Sequence, residues 1–367
     1  MAVSSQIVIP FPFELCDIQS SETDRYFVYW TRRSKIYKTG SNRTIVMKSL
    51  IFRKYGTTND LEVKDVAMPT CTNNEVLIKI HAASVNDWDW GLLRGQPLIN
   101  KILFGIFRPN VKTLGVDISG TIEFAGTNTS RFKKGDEVLG DISAYKWGGF
   151  AEYVCVKEDL VELKPPKMSF EEAAAIPQAG VLAIQSFHDI IKIQPGQHLL
   201  INGAGGGCGT IAIQIAKQLG AIVTGVDKSS KLNTIRELGA DHVIDYTKED
   251  FTKNIQTYDF ILDFSGHHPL LDYRRSLKEK GIYILVGGAS NLILKCMFFG
   301  PIISSLGSKK FKILQHKPNK YLDKLCSIYE EGNLKIIIDK TFPLDQAPEA
   351  LDYFGSGMAK GKVIINT

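Results

Sequence analysis

Closely spaced cysteines are missing from this sequence. The chain has 367 residues and six cysteines, none of which forms a CxxC pair, at positions 16, 71, 155, 208, 296 and 326. Paired spacing of that kind is typical of zinc sites and of small disulfide scaffolds. The scatter therefore argues against a cysteine zinc site and against a disulfide framework. It favours a reducing, cytoplasmic location.

Apolar runs of membrane-spanning length are also lacking. The nearest candidate, at positions 291–306, is interrupted by Lys295 and by the pair Gly300 and Pro301. The N-terminal segment lacks the basic start and apolar core of a signal peptide, and its acidic residues argue against a mitochondrial transit peptide. A net charge of +5 is mild for this length, so a nucleic-acid partner is not indicated.

Against these absences, one stretch is dense in glycine. Positions 201–209 are INGAGGGCG, a short apolar run precedes them, and apolar residues at helical spacing follow as far as Gly220. This order predicts a strand, a glycine turn and a helix, which favours a nucleotide site over a plain tight turn. A helix N-terminus attracts phosphate, and glycine lets a ligand approach the backbone closely. We expect a dinucleotide to bind at Ala204, Gly206, Gly207, Cys208 and Gly209.

The next predicted strand supports this interpretation. It is AIVTGVD at 221–227, and its last residue, Asp227, stands 21 positions after Gly206. In nucleotide-binding units of this kind, an acidic residue at about that distance meets the adenosine ribose.

The rest of the chain divides into two styles of pattern. Many short strands with glycine-rich turns run to about residue 160 and predict an antiparallel β domain. Pro165 and Pro166 mark a boundary, after which strands alternate with helical segments such as KLNTIRELGA and EDFTKNIQ. That alternation predicts a doubly wound parallel sheet, so the fold class is α/β. The last strand is expected to return to the first domain.

Several motifs together resemble the medium-chain dehydrogenase/reductase superfamily, and within it the zinc-independent quinone oxidoreductase branch that includes zeta-crystallin. They are HAASVNDWDWGLLRG at 81–95, LGVDISG at 114–120, GGFAEYV at 148–154, EEAAAIPQAGVLAIQSF at 171–187, the glycine turn, ELGADHVIDY at 237–246 and the segment 342–367. The resemblance implies a GroES-like antiparallel catalytic domain at 47–165 and 308–367. It also implies a Rossmann coenzyme domain at 166–307, with the active site in the cleft between the two.

Residues 1–46 precede this resemblance. The segment MKSLIFRKYG, which begins at Met47, is similar to the start of family members, so we expect residues 1–46 to be a flexible extension. Nine basic residues lie between Arg25 and Lys54. They leave a docking arm for a partner as an alternative.

The positions of zinc ligands in zinc-dependent family members hold other residues here. In zinc-dependent members, the resemblance implies three zinc ligands. They are a cysteine on the strand that corresponds to the one leading to Asn86, a histidine in a Gly-His-Glu triplet, and a third ligand near the position of Pro177. This sequence has Asn86 in the first region, Gly115-Val116-Asp117 in the second and no cysteine in the third. We therefore expect no metal, and without a Lewis acid alcohol oxidation lacks its usual electrophile.

The resemblance implies NADPH as the coenzyme, with NADH as the alternative. In the quinone oxidoreductase branch, residues at the places of Lys231 and Tyr246 bind the phosphate of NADPH. Asp227 favours NADH instead, because a carboxylate there repels a 2′-phosphate.

Candidate catalytic residues also come from the resemblance. Asn86 matches an asparagine near the nicotinamide, with a purely structural strand-end role as the alternative. Tyr145 is a candidate proton or hydrogen-bond donor, with a surface-loop role as its alternative. Gly287 ends a strand at the edge of the sheet where the nicotinamide amide is expected.

The function predicted by the resemblance is reduction of a small-molecule quinone or α,β-unsaturated carbonyl by hydride transfer, in a homodimer. One alternative is an alcohol or aldehyde dehydrogenase of the same superfamily. The other is a non-enzymatic NADPH-binding protein with a structural or regulatory role.

Overall fold

A computed structural model describes residues 35–39 and 42–367 of the chain. In chain order its strands are β1 (Lys35–Thr39), β2 (Asn42–Ile51), β3 (Glu62–Ala67), β4 (Glu75–Ser84), β5 (Asp117–Ala125), β6 (Glu137–Asp141), β7 (Tyr153–Lys157), β8 (Glu162–Leu163), β9 (His198–Asn202), β10 (Ile222–Asp227), β11 (His242–Asp245), β12 (Tyr258–Asp263), β13 (Leu277–Leu285), β14 (Lys310–Ile313), β15 (Ile338–Pro343) and β16 (Lys362–Asn366). The helices are α1 (Asp87–Arg94), α2 (Leu98–Phe104), α3 (Phe170–Ala175), α4 (Pro177–Gln185), α5 (Gly207–Gln218), α6 (Leu232–Glu237), α7 (Leu270–Ser276), α8 (Ser290–Ser305), α9 (Leu322–Glu330) and α10 (Ala347–Gly355).

The catalytic part is built on a seven-stranded, mainly antiparallel sheet. Its order is β15-β16-β4-β5-β6-β8, and β7 pairs with β4. The last strand, β16, pairs antiparallel with β4, and Ile364 lies opposite Ser84. The last strand therefore returns to the catalytic part, as predicted. Alternating apolar residues of these strands form one core, which includes Ile78, Ile118 and Val363.

The coenzyme part is built on a six-stranded parallel sheet in the order β11-β10-β9-β12-β13-β14. This confirms the predicted doubly wound α/β fold. The sheet extends past the predicted boundary at residue 307, because β14 pairs in parallel with β13. Leu322 and Leu325 of α9 belong to the core of the same domain.

The predicted flexible extension is structured where it is described. Strand β2 begins at Asn42, five residues before Met47, and it pairs with β1 on one side and β3 on the other. Residues 35–39 and 42–46 pair as strands because the strand pattern of β2 continues upstream of Met47, and the flexibility of the extension stays a prediction. For residues 1–34, 40 and 41, the prediction lies outside the described residues.

Two cysteines form a disulfide bond that the sequence did not indicate. Cys71 and Cys155 are joined, with their Cα atoms 5.4 Å apart. Cys71 precedes β4, and Cys155 lies on β7 opposite Leu77 of β4. The sequence argued against a disulfide framework and did not predict this single bond, because pairing across a sheet brings together residues that are 84 positions apart in the chain.

One helix forms where the sequence analysis predicted none, and one predicted helix is much shorter than expected. The apolar stretch around Pro301 forms one continuous helix, α8, with the proline inside it. The predicted helix EDFTKNIQ is only a short 3-10 turn at Phe251–Lys253. Across the described part of the chain, the helices all fall short of the length and apolarity needed to cross a membrane.

Candidate functional site

The glycine turn joins β9 to α5, as predicted. Gly206 is the N-cap of α5, and the backbone N–H groups of Gly203 and Ala204 donate to the carbonyl oxygen of Val226 at 3.0 and 3.1 Å. A Cβ atom at Gly209 would lie 2.3 Å from the Gly203 oxygen. Glycine is thus required at position 209 for the helix to start this close to the strand end.

The turn fits the pyrophosphate of a dinucleotide. The first N–H groups of α5 have no partner within the helix, and the aligned peptide dipoles of its 12 residues place partial positive charge at Gly207. A Cβ atom at Gly206 would meet only the Gly203 oxygen, at 3.4 Å. The outer side of the turn is therefore open for a ligand. The neighbouring Cys208 is not an activated thiol, because burial raises its pKa to about 12.

Asp227 and Lys231 lie side by side beneath this turn. One carboxylate oxygen of Asp227 accepts a hydrogen bond from the Gly205 N–H at 2.9 Å, and the other accepts from the Lys228 N–H at 2.8 Å. The Lys231 ammonium is 3.8 Å from Asp227, and both side chains are largely buried. Burial lowers the pKa of Lys231, and Asp227 opposes this shift.

Tyr246 reaches the same edge of the sheet through its backbone. Its N–H donates to the Asp227 carbonyl oxygen at 3.2 Å, while its side chain is half-exposed. Lys231 lies between β10 and α6, and Tyr246 directly follows β11, which pairs in parallel with β10. The two strand ends are therefore adjacent at one edge of the sheet, and the Lys231 side chain lies beside the turn.

The C-terminal strand closes onto the turn from the catalytic part. The Gly361 N–H donates to the Gly205 carbonyl oxygen at 2.9 Å. The next residue, Lys362, is 5% exposed, and a Cβ atom at Gly207 would lie 2.6 Å from its Cδ. Its ammonium donates to Oδ1 of Asn86 at 2.5 Å. A buried cation therefore connects the glycine turn with the candidate catalytic asparagine, and sequence reasoning missed it.

Asn86 is held from every side. Its Nδ2 donates to Asp117 Oδ2 at 3.0 Å, and its backbone N–H donates to Asp89 Oδ2 at 2.9 Å. Asp117 also accepts from the Gln178 N–H, and it lies 3.7 Å from the Lys362 ammonium. We call Asn86, Asp117 and Lys362 the cleft network. It is assembled from α1, β5 and β16.

Two buried carboxyl groups, Asp117 within the cleft network and Asp89 beside it, have raised pKa values. Burial raises the pKa of Asp117 to about 6, although Lys362 opposes the shift. Burial likewise raises the pKa of Asp89 to about 7, against the hydrogen bonds that it accepts from the Gly115 and Asn86 N–H groups. These bonds tie the start of α1 to the loop that carries Val116, so Asp89 positions Asn86.

One buried donor beside the cleft network lacks a partner. Gln178 is 4% exposed, and its Nε2 has no hydrogen-bond partner within the described part of the chain. Buried polar groups in native proteins are almost always paired. A bound molecule in the cleft would supply the missing acceptor.

Tyr145 lies with other partners. Lys146 and Lys157 stand over its ring at 4.8 and 5.0 Å, and Glu75 raises the pKa of Tyr145 in addition to burial. Glu75 begins the ten-residue strand β4, whereas Asn86 follows the end of that strand. A strand of that length spans about 33 Å. The structure therefore does not bring Tyr145 to Asn86.

Gly287 lies at the carboxyl edge of the coenzyme sheet. Its N–H donates to the Asp263 carbonyl oxygen at 3.2 Å, and its own carbonyl oxygen accepts from the Gly266 N–H at 3.1 Å. These backbone hydrogen bonds hold the ends of β12 and β13 together. This is the edge at which ligands bind in open α/β sheets.

The zinc-ligand regions of the family meet at the cleft network, but their donors do not suit zinc. Val116 cannot ligate, Asn86 Oδ1 already accepts from Lys362, and the Lys362 ammonium would repel a dication beside Asp117. Among the described residues, no cluster of three or more His, Cys, Asp or Glu side chains could hold a metal ion.

A separate groove of about 780 Å³ lies where β6, β8 and α9 meet. Carboxylates dominate its charged lining, which includes Asp136, Glu137, Glu162, Asp323 and Glu330. It is a poor site for an anionic coenzyme.

Comparisons with known proteins agree with the geometry. Residues 72–166 match the alcohol dehydrogenase GroES-like domain, and residues 238–365 match the zinc-binding dehydrogenase domain. The structure of the quinone oxidoreductase from Coxiella burnetii is similar, with a TM-score of 0.79 and 28% identity, over 88% of this chain and 99% of that one.

Curated relatives cover most of the chain. The human mitochondrial NAD(P)H oxidoreductase RTN4IP1 is 31% identical over 89% of this chain and 91% of its own length. The 2-methylene-furan-3-one reductase of Solanum lycopersicum is also 31% identical, over 87% of this chain and 79% of its own length. The chain therefore belongs to the medium-chain dehydrogenase/reductase superfamily of oxidoreductases, in its quinone oxidoreductase branch.

Proposed function

We propose that this protein is an NADPH-dependent reductase that transfers a hydride to a quinone or an α,β-unsaturated carbonyl without zinc. The observation that carries the proposal is the position of Lys362, which lies over Gly207 of the glycine turn and donates to Asn86. The relatives named as quinone oxidoreductases and as a furanone reductase support the choice of acceptor.

The chain offers a separate binding element for each part of the coenzyme. The glycine turn and the start of α5 would hold the pyrophosphate, with Lys362 as a further cation. Asp227, Lys231 and Tyr246 would hold the adenosine ribose. Gly287, at the carboxyl edge of the sheet, would lie beside the nicotinamide. The bound coenzyme supplies the hydride.

The preference for NADPH rests on how Asp227 is already engaged. Its two oxygens accept backbone N–H groups, and the Lys231 ammonium at 3.8 Å offsets its charge. The repulsion that a free carboxylate would exert on a 2′-phosphate is thereby reduced. Lys231 and Lys228 add positive charge at the same strand end.

The cleft network provides the chemistry at the acceptor. When hydride adds to a conjugated carbon, negative charge develops on the carbonyl oxygen. The Lys362 ammonium is a donor that can stabilise such an oxygen in the cleft. Asn86 accepts one hydrogen bond from this ammonium and so positions it, and Asp117 and Asp89 hold Asn86 through the hydrogen bonds described above.

The predicted homodimer has a candidate surface. Within the described residues β14 pairs only with β13, so no strand pairs with its other edge. The adjacent α8 and its C-cap residue Leu306 expose an apolar row at i, i+4 spacing, whose other members are Leu294, Phe298 and Ile302. We propose that two copies pair at this edge, and sedimentation velocity of the Phe298→Ser/Ile302→Ser variant tests it by a shift from dimer to monomer.

Cytoplasmic location remains a proposal. Relatives with mitochondrial and chloroplastic names, and the disulfide between Cys71 and Cys155, give reasons to test it. Fractionation of the native cells with a tagged full-length chain is the direct test.

A turnover panel tests the function as a whole. Metal-analysed, zinc-free protein is assayed with NADPH and NADH against a quinone, an enone and, in the oxidative direction, a primary alcohol. We expect turnover with the quinone or the enone, and faster turnover with NADPH. Zinc-dependent turnover of the alcohol alone would support the dehydrogenase alternative, and binding of NADPH without any turnover would support the non-enzymatic one.

A further inference from the structure

A surface ridge next to the cleft exposes a dense set of apolar side chains. It comprises α2 and the turn after it, at positions 98–107, and we call it the apolar ridge. Five of its side chains are largely exposed: Leu98 (72%), Ile102 (67%), Leu103 (64%), Ile106 (63%) and Phe107 (91%). Contiguous apolar patches of this kind mark interaction sites.

The inner side of the apolar ridge is anchored. Phe104 packs edge-on against Trp147, with ring centroids 5.6 Å apart. The Tyr55 hydroxyl donates to the Gly105 carbonyl oxygen at 2.7 Å, and the Asn110 N–H donates to the Phe104 carbonyl oxygen at 2.7 Å. The ridge is thus held to the body of the protein, while none of the described residues covers its outer side chains.

The charge around the ridge has one sign. Positions 90–116 contain no Asp or Glu, but they contain four basic residues, none of which forms an ion pair within the described part of the chain: Arg94, Lys101, Arg108 and Lys112. Arg53 adds a further positive charge to this region. Its neighbour in the chain, Phe52, is held next to Lys112, because the Phe52 N–H donates to the Lys112 carbonyl oxygen at 2.7 Å. Asp60, in the same neighbouring loop, is paired with Lys54 at 2.8 Å.

We infer that the apolar ridge docks on an anionic lipid membrane. Large apolar side chains surrounded by unpaired Lys and Arg match a bilayer whose acyl chains accept the apolar groups and whose headgroups attract the cations. The exposed row on α8 differs, because it lies beside the free edge of β14, which a second copy can extend by strand pairing. Backbone pairing of that kind is absent from the ridge, whose chemistry fits lipid.

Docking through the ridge would bring the cleft to the membrane surface. Asn86 is the N-cap of helix α1, which is eight residues, or about 12 Å, long. Helix α2 of the ridge starts four residues after the end of α1. This consequence rests on the proposed function: the physiological acceptor would be a long-tailed quinone dissolved in the bilayer.

Vesicle flotation tests the docking without coenzyme or acceptor. Full-length protein is mixed with vesicles of phosphatidylcholine and phosphatidylglycerol, and in parallel with phosphatidylcholine alone. We expect flotation with the anionic vesicles only, and its loss at high salt, since salt screens the headgroup attraction. The Ile102→Ser/Phe107→Ser variant and the Arg108→Gln/Lys112→Gln variant should each bind at least tenfold more weakly.

The matched control removes two apolar side chains of similar exposure from α8. The Phe298→Ser/Ile302→Ser variant should float like wild type, whatever its oligomeric state. Absence of flotation for wild type, equal flotation with neutral vesicles, or unchanged flotation of both ridge variants would overturn the inference. A ridge variant that changes the sedimenting mass in the absence of vesicles would also overturn it, by showing that the ridge contacts a second copy.

The proposed function is measured separately, by turnover of a short, water-soluble quinone without vesicles. The ridge variants should keep that turnover, because the ridge lies outside the cleft network. Failure of docking and failure of catalysis are therefore told apart.

Discussion

At the scale of single residues, the proposed preference for NADPH depends on two side chains, Lys231 and Asp227. A hydrogen bond from Lys231 to a charged 2′-phosphate contributes roughly 1.5–3 kcal/mol. Lys231→Ala should therefore weaken NADPH binding by about one to two powers of ten and leave NADH binding nearly unchanged. Asp227→Ser should weaken NADH and spare NADPH. Fluorescence titration of both coenzymes measures these effects.

Lys253→Ala, an exposed lysine outside the site, serves as the control and should bind both coenzymes like wild type. Equal weakening of NADPH and NADH by Lys231→Ala would show that this lysine does not contact the 2′-phosphate.

Lys362 gives the second prediction at this scale. Loss of a donor that stabilises a developing negative charge typically costs a factor of about 10² to 10³ in kcat. We expect Lys362→Met to lower kcat by about that range and also to weaken NADPH binding, because the cation over Gly207 is gone. Stopped-flow reduction of a quinone, together with NADPH titration, separates the two effects.

A second buried lysine provides the matched control for folding. Lys164 is 7% exposed and donates to the carbonyl oxygens of Pro165 and Met168, away from the cleft. Lys164→Met should lower stability but leave kcat of the folded fraction near the wild-type value. If folded Lys362→Met kept full kcat, the cleft network would have no role at the acceptor.

The sequence indicated some of these residues and not others, for physical reasons. Asp227 and Lys231 follow a strand in a recurrent unit, so their place was predictable from spacing. Lys362 is one lysine among many, and only the pairing of β16 with β4 shows that it is buried beside Asn86. Tyr145 precedes the GGF turn, but the sequence does not show that its ring packs against Lys146 and Lys157.

At the scale of elements, the start of α1 depends on a buried carboxyl group. Burial raises the pKa of Asp89 to about 7, above an unfolded value of ~3.9. The folded protein thus binds this proton more tightly, and the stabilisation from it is complete below pH ~4 and is lost as pH rises to about 7. Between those values wild type should lose stability relative to Asp89→Asn.

Urea unfolding midpoints of both proteins at several pH values measure this difference. Above pH 7 the difference should be constant. A difference that stays flat from pH 4 to pH 7 would show that Asp89 is ionised throughout that range.

The disulfide bond between β7 and the loop before β4 gives another prediction. When the protein is denatured without reductant in the presence of iodoacetamide, Cys71 and Cys155 should stay unlabelled and appear as one linked peptide. The free cysteines Cys208, Cys296 and Cys326 should be labelled. Peptide mass mapping with and without reductant checks this, and labelling of both Cys71 and Cys155 without reductant would contradict the bond.

Local pattern predicted some elements well because they depend on nearest neighbours. The order β9, glycine turn, α5 and β10 followed from apolar runs, glycine and helical spacing. Elsewhere tertiary pairing overrode the local signal. The segment LLDYRRSLKE has helical character throughout, yet it leaves the helix at Leu277, where parallel pairing with β12 begins.

At the scale of the whole molecule, the two-domain α/β plan was predictable from the sequence, and the closure between the parts was not. The change from antiparallel to alternating pattern after Pro165 and Pro166 located the two sheets. The bonds that join them, from Gly361 to Gly205 and from Lys362 to Asn86, connect distant segments and come only from the assembled fold. The cleft network therefore had no signature in local sequence.

We propose that this assembled cleft transfers a hydride directly from NADPH to an electron-poor acceptor without zinc. The most direct measurement is a single turnover of zinc-free protein with NADPH that carries deuterium at C4 on either face, and with an α,β-unsaturated ketone as the acceptor. Mass spectrometry of the product should show deuterium on the β-carbon from one labelled face only, at a rate that chelators do not change. Product without deuterium from either face, or turnover that appears only after zinc is added, would contradict the account.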